Sequence, residues 1–138
     1  MTHQRKHIRH SKFGKPFRAG RGLRLTTKNI IKYHDDVLRK SGGESGILNR
    51  GNIAFTVDKI NLAKDPYKKA SRAMVGLIQG HGFVDVNKRY AYLLGLNILQ
   101  RTGLKISATK EEAEKLVINI TQGMSEPEVE MWLRRHVR

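Results

Sequence analysis

The sequence predicts an all-α protein, and three observations support that fold class. From residue 25 onward, apolar residues recur at the three- and four-residue spacing of a helix with one buried face. Two capping boxes, Thr109 with Glu112 and Ser125 with Glu128, open helices near the end of the chain. Only residues 45–51 are compatible with strands, and their strand propensity is weak. We therefore predict a helical bundle with room for a small β-hairpin flap.

The first two helices are predicted in the segment before residue 61. A first helix runs from Thr27 to Lys40, because a threonine at position 26 or 27 can cap it and Gly42-Gly43 ends it. His34 lies on the apolar side of this helix, so we assign it to the structural face. A short second helix covers Asn52 to Ile60. These two helices flank the segment in which the hairpin is predicted.

The remaining helices follow from clear start and stop signals. A third helix begins at Asp65-Pro66, since proline suits the first turn, and continues to Gly80. A polar segment then interrupts the helical pattern. A fourth helix follows it to Thr102, with Gly103 as its end, and the two capping boxes open the fifth and sixth helices.

The composition limits the classes of protein to which the chain can belong. Its 138 residues, 38% of them hydrophobic, fit one domain with a single modest core. The absence of cysteine excludes a disulfide framework and a thiol nucleophile. No apolar run approaches the ~20 residues of a membrane span. We therefore expect a soluble, cytoplasmic protein.

The positive charge is concentrated at the N-terminus. The chain carries a net charge of +15, and residues 1–24 contain eight Lys or Arg and no acidic residue. We interpret this segment as a basic, disordered extension that precedes a folded domain of residues 25–138. A functional alternative is electrostatic contact with RNA or DNA, because phosphate contacts through Lys and Arg need no fixed fold.

The polar segment between the third and fourth helices reads HGFVDVNKR and indicates phosphate chemistry. The imidazole of His81 can accept a proton from an attacking hydroxyl, and the carboxylate of Asp85 can bind a divalent cation. Lys88 and Arg89 supply positive charge, and the amide of Asn87 can donate to a phosphate oxygen. Helix N-termini favour anions as well. This segment, hereafter the motif loop, is the candidate catalytic site.

A purely structural interpretation of the motif loop also exists. Asp85 and Arg89 are four residues apart and can form a helical salt bridge, and His81 can simply cap the loop. Phe83 is expected to anchor the loop in the core under either interpretation. The functional interpretation is favoured because the loop concentrates these residue types where the chain reverses.

The motif loop resembles the active-site motif of the Fic/Doc family, H-x-F-x-[D/E]-[G/A]-N-[K/G]-R. Six of the seven specified positions match, and the ending NKR resembles the Doc branch of toxin–antitoxin systems. The departure is Val86, where the family has Gly or Ala, and a β-branched residue there is expected to restrict nucleotide binding. Gly82 replaces a frequent Pro. The segment from Gly42 to Gly51 is similar to the family pattern GG-x-x-G-[IL]-x-x-x-G, so the resemblance covers residues 25–138.

The resemblance implies a phosphotransferase that uses ATP and Mg²⁺ to modify a Ser or Thr hydroxyl of a target protein. In such an enzyme His81 is the general base and Asp85 binds the magnesium ion. Asn87, Lys88 and Arg89 bind the phosphates of the nucleotide. This assignment is a prediction of site residues from the family motif.

The resemblance also implies protein partners. A substrate-docking flap would pair with an extended segment of the target, and its residues are Gly46, Ile47, Leu48, Asn49 and Arg50. The usual target in the Doc branch is elongation factor Tu. Relatives that inhibit themselves carry a helix with [S/T]-x-x-x-E-[G/N], and no glutamate of this sequence completes that pattern. We therefore expect inhibition in trans by an antitoxin protein.

Two alternative functions remain open at the level of sequence. One is AMP transfer, the commoner chemistry of Fic proteins. Most AMP-transferring relatives have Gly at the position of Lys88, so this lysine favours phosphate transfer. The other alternative is a non-catalytic module that binds nucleic acid or associates with the ribosome through its basic N-terminal segment.

Overall fold

The computed structural model describes residues 24–138, which form six α-helices and confirm the predicted all-α class for this part of the chain. The basic extension predicted for residues 1–24 lies, except for Arg24, outside the described residues. The helices are α1 Thr27–Ser41, α2 Arg50–Leu62, α3 Pro66–Gly80, α4 Asn87–Gln100, α5 Lys110–Thr121 and α6 Glu126–His136. None of these helices combines the length and apolar content that a membrane span requires.

Helix α3 is the central helix of the bundle. Helices α2, α4, α5 and α6 all pack against it, and α1 packs against α2. Its buried apolar side chains are Ala70, Ala73, Met74, Val75, Leu77 and Ile78. A helix that is apolar on most sides belongs in a core. Because α3 ends at Gly80, the motif loop begins directly after the most deeply packed helix.

Local capping determines where most helices begin. The Thr26 side chain accepts a hydrogen bond from the Asn29 N–H at the start of α1, and both predicted capping boxes are present in α5 and α6. Helix α2 is longer than the predicted Asn52–Ile60, because Asn49 caps it two residues earlier than expected. Helix α4 ends at Gln100, before the predicted Thr102, since the following residues form a turn.

The prediction of a β-hairpin flap was wrong, and residues 24–138 contain no strand. Ile47 forms a single antiparallel bridge with Phe83 of the motif loop instead. The reason is length: α2 begins at Arg50, three residues after Ile47, so no chain remains for a returning strand. The predicted flap therefore pairs with the motif loop rather than with itself.

Candidate active site

The motif loop connects α3 to α4 through two residues with left-handed backbone conformations. His81 follows α3 with a φ of 46°, and Val86 precedes α4 with a φ of 67°. Within residues 24–138 these are the only residues other than glycine with a positive φ. Such a conformation costs an L-residue roughly 1–2 kcal/mol, and a β-branched residue adopts it rarely. Backbone strain of this kind concentrates at functional sites.

Phe83 anchors the motif loop in the core, as predicted. Its side chain is 1% exposed. The ring stacks on His34 of α1, with the ring centroids 3.6 Å apart and the planes 4° from parallel. Tyr90 contacts both rings edge-on. The middle of the loop is therefore attached to α1 and α4 through one aromatic cluster.

Asn87 closes the motif loop on itself. Its side-chain oxygen accepts a hydrogen bond from the Phe83 N–H at 3.0 Å, and its side-chain nitrogen donates to the Phe83 carbonyl at 2.8 Å. A side-chain amide has two N–H hydrogens, so one of them remains for another acceptor. The predicted contact of Asn87 with phosphate stays a prediction beside this structural role.

The flap segment, residues 46–50, is hydrogen-bonded to the motif loop. The N–H groups of Leu48 and Asn49 donate to the Gly82 carbonyl at 2.8 and 2.9 Å, and the Val84 N–H donates to the Gly46 carbonyl at 3.0 Å. Asn49 also caps α2, which begins at Arg50. The structure thus brings the predicted docking residues next to the motif loop, and their binding of a target segment stays a prediction.

Gly82 lies in tight contact with α2. A Cβ atom at this position would lie 2.5 Å from Cγ1 of Ile53, a fully buried residue. A side chain at position 82 therefore requires Ile53 to move. This contact gives a packing reason for glycine at a position where the sequence pattern often has proline.

The carboxylate of Asp85 is exposed but held in place by the backbone. Its Oδ2 accepts a hydrogen bond from the Glu44 N–H at 3.1 Å, and its Oδ1 accepts one from the Val86 N–H at 2.8 Å. These two N–H groups, the first more than the second, hold the pKa of the Asp85 carboxyl below its ordinary value, and Arg89 acts in the same direction. Asp85 is therefore a carboxylate at neutral pH.

The Gly42-Gly43 pair that ends α1 makes room for this carboxylate. Gly43 has a φ of +134°, and a Cβ atom there would lie 2.9 Å from Oδ2 of Asp85. A side chain at position 43 is thus excluded both by the backbone conformation and by the carboxylate. The glycine pair of the sequence pattern is part of the site as well as the end of a helix.

Arg89 is attached to the end of α1. Its Nη1 donates to the Ser41 hydroxyl at 2.6 Å, and that hydroxyl donates to the Val37 carbonyl at 2.7 Å. In the described part of the chain no ion pair joins Asp85 to Arg89, so the salt bridge of the purely structural interpretation is not formed. The Arg89 side chain remains exposed beside Asp85.

The first turn of α4 offers several groups to an anion. Val86 provides no side-chain cap, so the N-terminal N–H groups of α4 are not used by a capping side chain. Lys88 and Arg89 are exposed in the same turn. His81 is exposed at the other end of the motif loop. Partial positive charge at a helix N-terminus and two cationic side chains together form an anion-binding surface.

The residues present fit a magnesium–nucleotide complex. Magnesium usually binds through one or two carboxylates, with phosphates and water as its other ligands. Asp85 is ionised, and each of its oxygens retains a lone pair beyond its backbone hydrogen bond. Residues 24–138 contain no group of three or more His, Cys, Asp or Glu side chains arranged to hold a metal by themselves. Asp85 with a bound nucleotide is therefore a suitable metal site.

His34 supports the site through a contact that we did not predict from the sequence. Its assignment to the buried face of α1 is confirmed, since the side chain is fully buried. Its Nε2, however, is 2.8 Å from the backbone carbonyl of Asp85. The sequence contained one indication of such a contact, namely a histidine on the apolar face of a helix. A histidine placed there is expected to be buried, and a buried ring nitrogen needs a hydrogen-bond partner.

Comparison with known proteins agrees with this geometry. Residues 24–99, more than half of the chain, match the profile of the Fic/DOC family. The chain is also similar to "Protein kinase doc" of Escherichia phage P1, with 26% identity over 117 residues that cover 80% of this chain and 93% of the phage protein. The matched family region includes the motif loop, the flap segment and the glycine pair. The chain therefore belongs to the Fic/DOC family.

Proposed function

We propose that this chain is a Doc-type protein kinase that uses ATP and Mg²⁺ to phosphorylate a Ser or Thr hydroxyl of a partner protein. The observation that carries the proposal is the ionised carboxylate of Asp85 beside an α4 N-terminus without a side-chain cap, where Lys88 and Arg89 are exposed. The similarity to a phage protein named as a kinase supports the same chemistry.

The mechanism assigns a task to each exposed polar or charged residue of the motif loop. Asp85 would hold Mg²⁺, which would neutralise part of the phosphate charge when it is bound. His81 accepts the proton of the target hydroxyl as the hydroxyl oxygen bonds to the γ-phosphorus. The bond between the γ-phosphorus and the β–γ bridging oxygen breaks, and ADP leaves. Lys88 and Arg89 stabilise the charge that develops on the phosphates.

Lys88 supports phosphate transfer over AMP transfer. In the Fic/Doc motif the AMP-transferring members mostly have glycine at this position, which leaves room for an α-phosphate near the histidine. Here a lysine side chain occupies the second position of α4. Its bulk and charge favour a nucleotide that presents its γ-phosphate to His81.

The proposed biological role is a toxin whose activity an antitoxin protein controls. The target would bind through the flap segment, in which Ile47 and Leu48 are 40% and 66% exposed beside the motif loop. The family resemblance suggests a translation factor such as elongation factor Tu as the target, and hence action in the cytoplasm. The antitoxin would act in trans by covering the cationic turn of α4.

The test is transfer of label from ATP to proteins of a cell lysate. ATP carrying the label at the γ-phosphate and ATP carrying it at the α-phosphate are supplied in separate reactions, with His81→Ala as the inactive control. We expect the γ-label alone on a discrete protein band, which mass spectrometry then identifies. Transfer of the α-label would establish AMP transfer instead. No transfer by the folded protein, together with RNA binding, would establish the non-catalytic alternative.

Expression in cells tests the toxin role separately. The chain expressed alone should arrest growth, and His81→Ala should relieve the arrest at an equal protein level. Harmless expression of soluble, catalytically active protein would contradict the toxin role but not the kinase activity.

A further inference from the structure

We propose that His34 is a positioning residue that holds the peptide group between Asp85 and Val86, and thereby orients the carboxylate to which the proposed function assigns magnesium. The role in metal binding rests on that proposed function. The contact itself is a property of the free protein, so the two can be tested apart.

The hydrogen bond of His34 crosses the fold. His34 belongs to α1 and is 51 positions away from Asp85 in the chain. Its Nε2 is 2.8 Å from the Asp85 carbonyl oxygen. A carbonyl oxygen can only accept, so Nε2 carries the hydrogen and donates it. The other ring nitrogen, Nδ1, is buried without a hydrogen-bond partner in the described residues and lies 3.8 Å from Oδ1 of Asp35.

Packing alone does not account for histidine at this position. The ring stacks on Phe83 and meets Tyr90 edge-on, contacts that another aromatic or a large apolar side chain can also make. A buried nitrogen without a partner is unfavourable, and an apolar residue would avoid that cost. The contribution that distinguishes histidine here is the hydrogen bond from Nε2 to Asp85.

The planarity of the peptide bond transmits this contact to the carboxylate. The Asp85 carbonyl and the Val86 N–H belong to one rigid peptide group, so holding the oxygen also fixes the direction of the N–H. That N–H donates to Oδ1 of Asp85 at 2.8 Å. The same peptide leads into Val86, whose left-handed conformation needs support from its surroundings. His34 therefore stabilises both the carboxylate position and the start of α4.

Three variants separate positioning from general stability. His34→Leu removes the donor but keeps apolar bulk against Phe83. His34→Gln supplies an amide N–H that can replace Nε2 as the donor. Tyr90→Phe is the matched control, because it removes a buried hydrogen bond of the same aromatic cluster, from the Tyr90 hydroxyl to the Ile30 carbonyl at 2.9 Å, without touching Asp85.

Three measurements are made on each variant. The first is the ¹H–¹⁵N spectrum of the protein without nucleotide, which reports the amide hydrogen bonds of Val86 and Glu44 to the Asp85 carboxylate. The second is the Mg²⁺ concentration that gives half-maximal phosphate transfer at saturating ATP. The melting temperature is recorded as the measure of overall stability.

We expect His34→Leu to shift the Val86 and Glu44 amides and to raise the Mg²⁺ requirement ~10- to 100-fold, the usual effect of losing a residue that orients a metal ligand. The rate at saturating Mg²⁺ should be retained. His34→Gln should restore both amide signals and the Mg²⁺ requirement. Tyr90→Phe should lower the melting temperature and leave the other two measurements unchanged.

Several outcomes would overturn the assignment. A folded His34→Leu variant with unchanged amides would do so, as would Tyr90→Phe producing the same changes as His34→Leu. If His34→Leu does not fold, His34→Gln decides: retained amide signals support positioning, and lost signals in a folded protein contradict it. If the wild-type protein transfers no phosphate, the proposed function fails while the amide signals still decide the role of His34.

Discussion

The C-terminal helices and the motif loop are stabilised in opposite ways. Helices α5 and α6 begin at capping boxes. In each box the N-cap side chain accepts a hydrogen bond from the backbone N–H three residues later, and the glutamate at that later position accepts one from the N-cap N–H. Every one of these bonds is local in sequence. The residues are Thr109 with Glu112 and Ser125 with Glu128.

The motif loop depends on partners from distant parts of the chain. His34 and Glu44 bond to Asp85 across 51 and 41 positions of sequence. Two residues of the loop, His81 and Val86, have strained left-handed conformations, and no side chain caps the helix that follows. Local sequence alone would not maintain this conformation.

This difference implies that the stability of the fold and the proposed catalysis depend on different parts of the molecule. A locally capped helix leaves few polar groups for a ligand, because its own side chains use them. The start of α4 lacks such a cap and keeps its N–H groups and cations accessible, while the surrounding fold holds it in place. We therefore expect substitutions in the C-terminal helices to change stability, and substitutions of the exposed motif residues to change transfer.

The largest expected effect is that of His81→Ala. Loss of a general base lowers the transfer rate by ~10²- to 10⁴-fold. The free energy of unfolding should change by less than about 0.5 kcal/mol, because the side chain is exposed. Labelled-phosphate transfer and urea unfolding measure the two quantities. His136→Ala in α6 is the control and should leave transfer intact; near-normal transfer by folded His81→Ala would remove the mechanism.

Phe83→Ala tests the attachment of the loop to the core. Truncation of a fully buried phenylalanine costs roughly 3–5 kcal/mol of unfolding free energy, and the stacking on His34 is lost with it. The control is Phe55→Ala, since Phe55 is 64% exposed and should contribute less than about 0.5 kcal/mol. Equal unfolding free energies for the two variants would show that Phe83 is not an anchor.

Thr109→Ala tests the opposite region. Removing the N-cap of α5 should lower the free energy of unfolding by about 1 kcal/mol and leave the transfer rate unchanged. Thr121→Ala is the control, because it removes a hydroxyl at the other end of the same helix. It should lower the free energy of unfolding by less than Thr109→Ala does, as measured by chemical denaturation. A loss of transfer in folded Thr109→Ala would contradict the separation of the two regions.

Val86→Gly gives the smallest expected effect and refines the comparison. Relief of left-handed strain, about 1–2 kcal/mol, nearly offsets the loss of a buried side chain, so stability should change little. Removal of the Cβ lets a phosphate approach the first turn of α4, and ATP should bind roughly two- to five-fold more tightly, less than 1.4 kcal/mol. Titration calorimetry measures this affinity. Val84→Gly is the control, because Val84 lies in the same loop but has a negative φ. Unchanged ATP affinity in Val86→Gly would mean that the loop already binds the nucleotide with valine at position 86.

The sequence by itself determined where most helices begin and which residues form the motif, because these features depend on local signals. Threonine, serine and proline mark the starts of α1, α3, α5 and α6, because a cap or a first-turn proline acts within a few residues of its own position. The anchor Phe83 was predicted from its residue type, since burial of a phenylalanine side chain is favourable, and the side chain is buried.

Only the tertiary structure decided how the motif residues are held. The flap segment bonds to Gly82 and Val84 instead of forming a hairpin, Arg89 bonds to Ser41 instead of Asp85, and His34 bonds to the Asp85 carbonyl. Each of these bonds joins the motif loop to a segment more than 30 residues earlier in the chain, so no local pattern contains it. Their partners become neighbours only when the α1 end and the motif loop are brought together in the folded bundle, where buried and strained backbone groups must find hydrogen bonds.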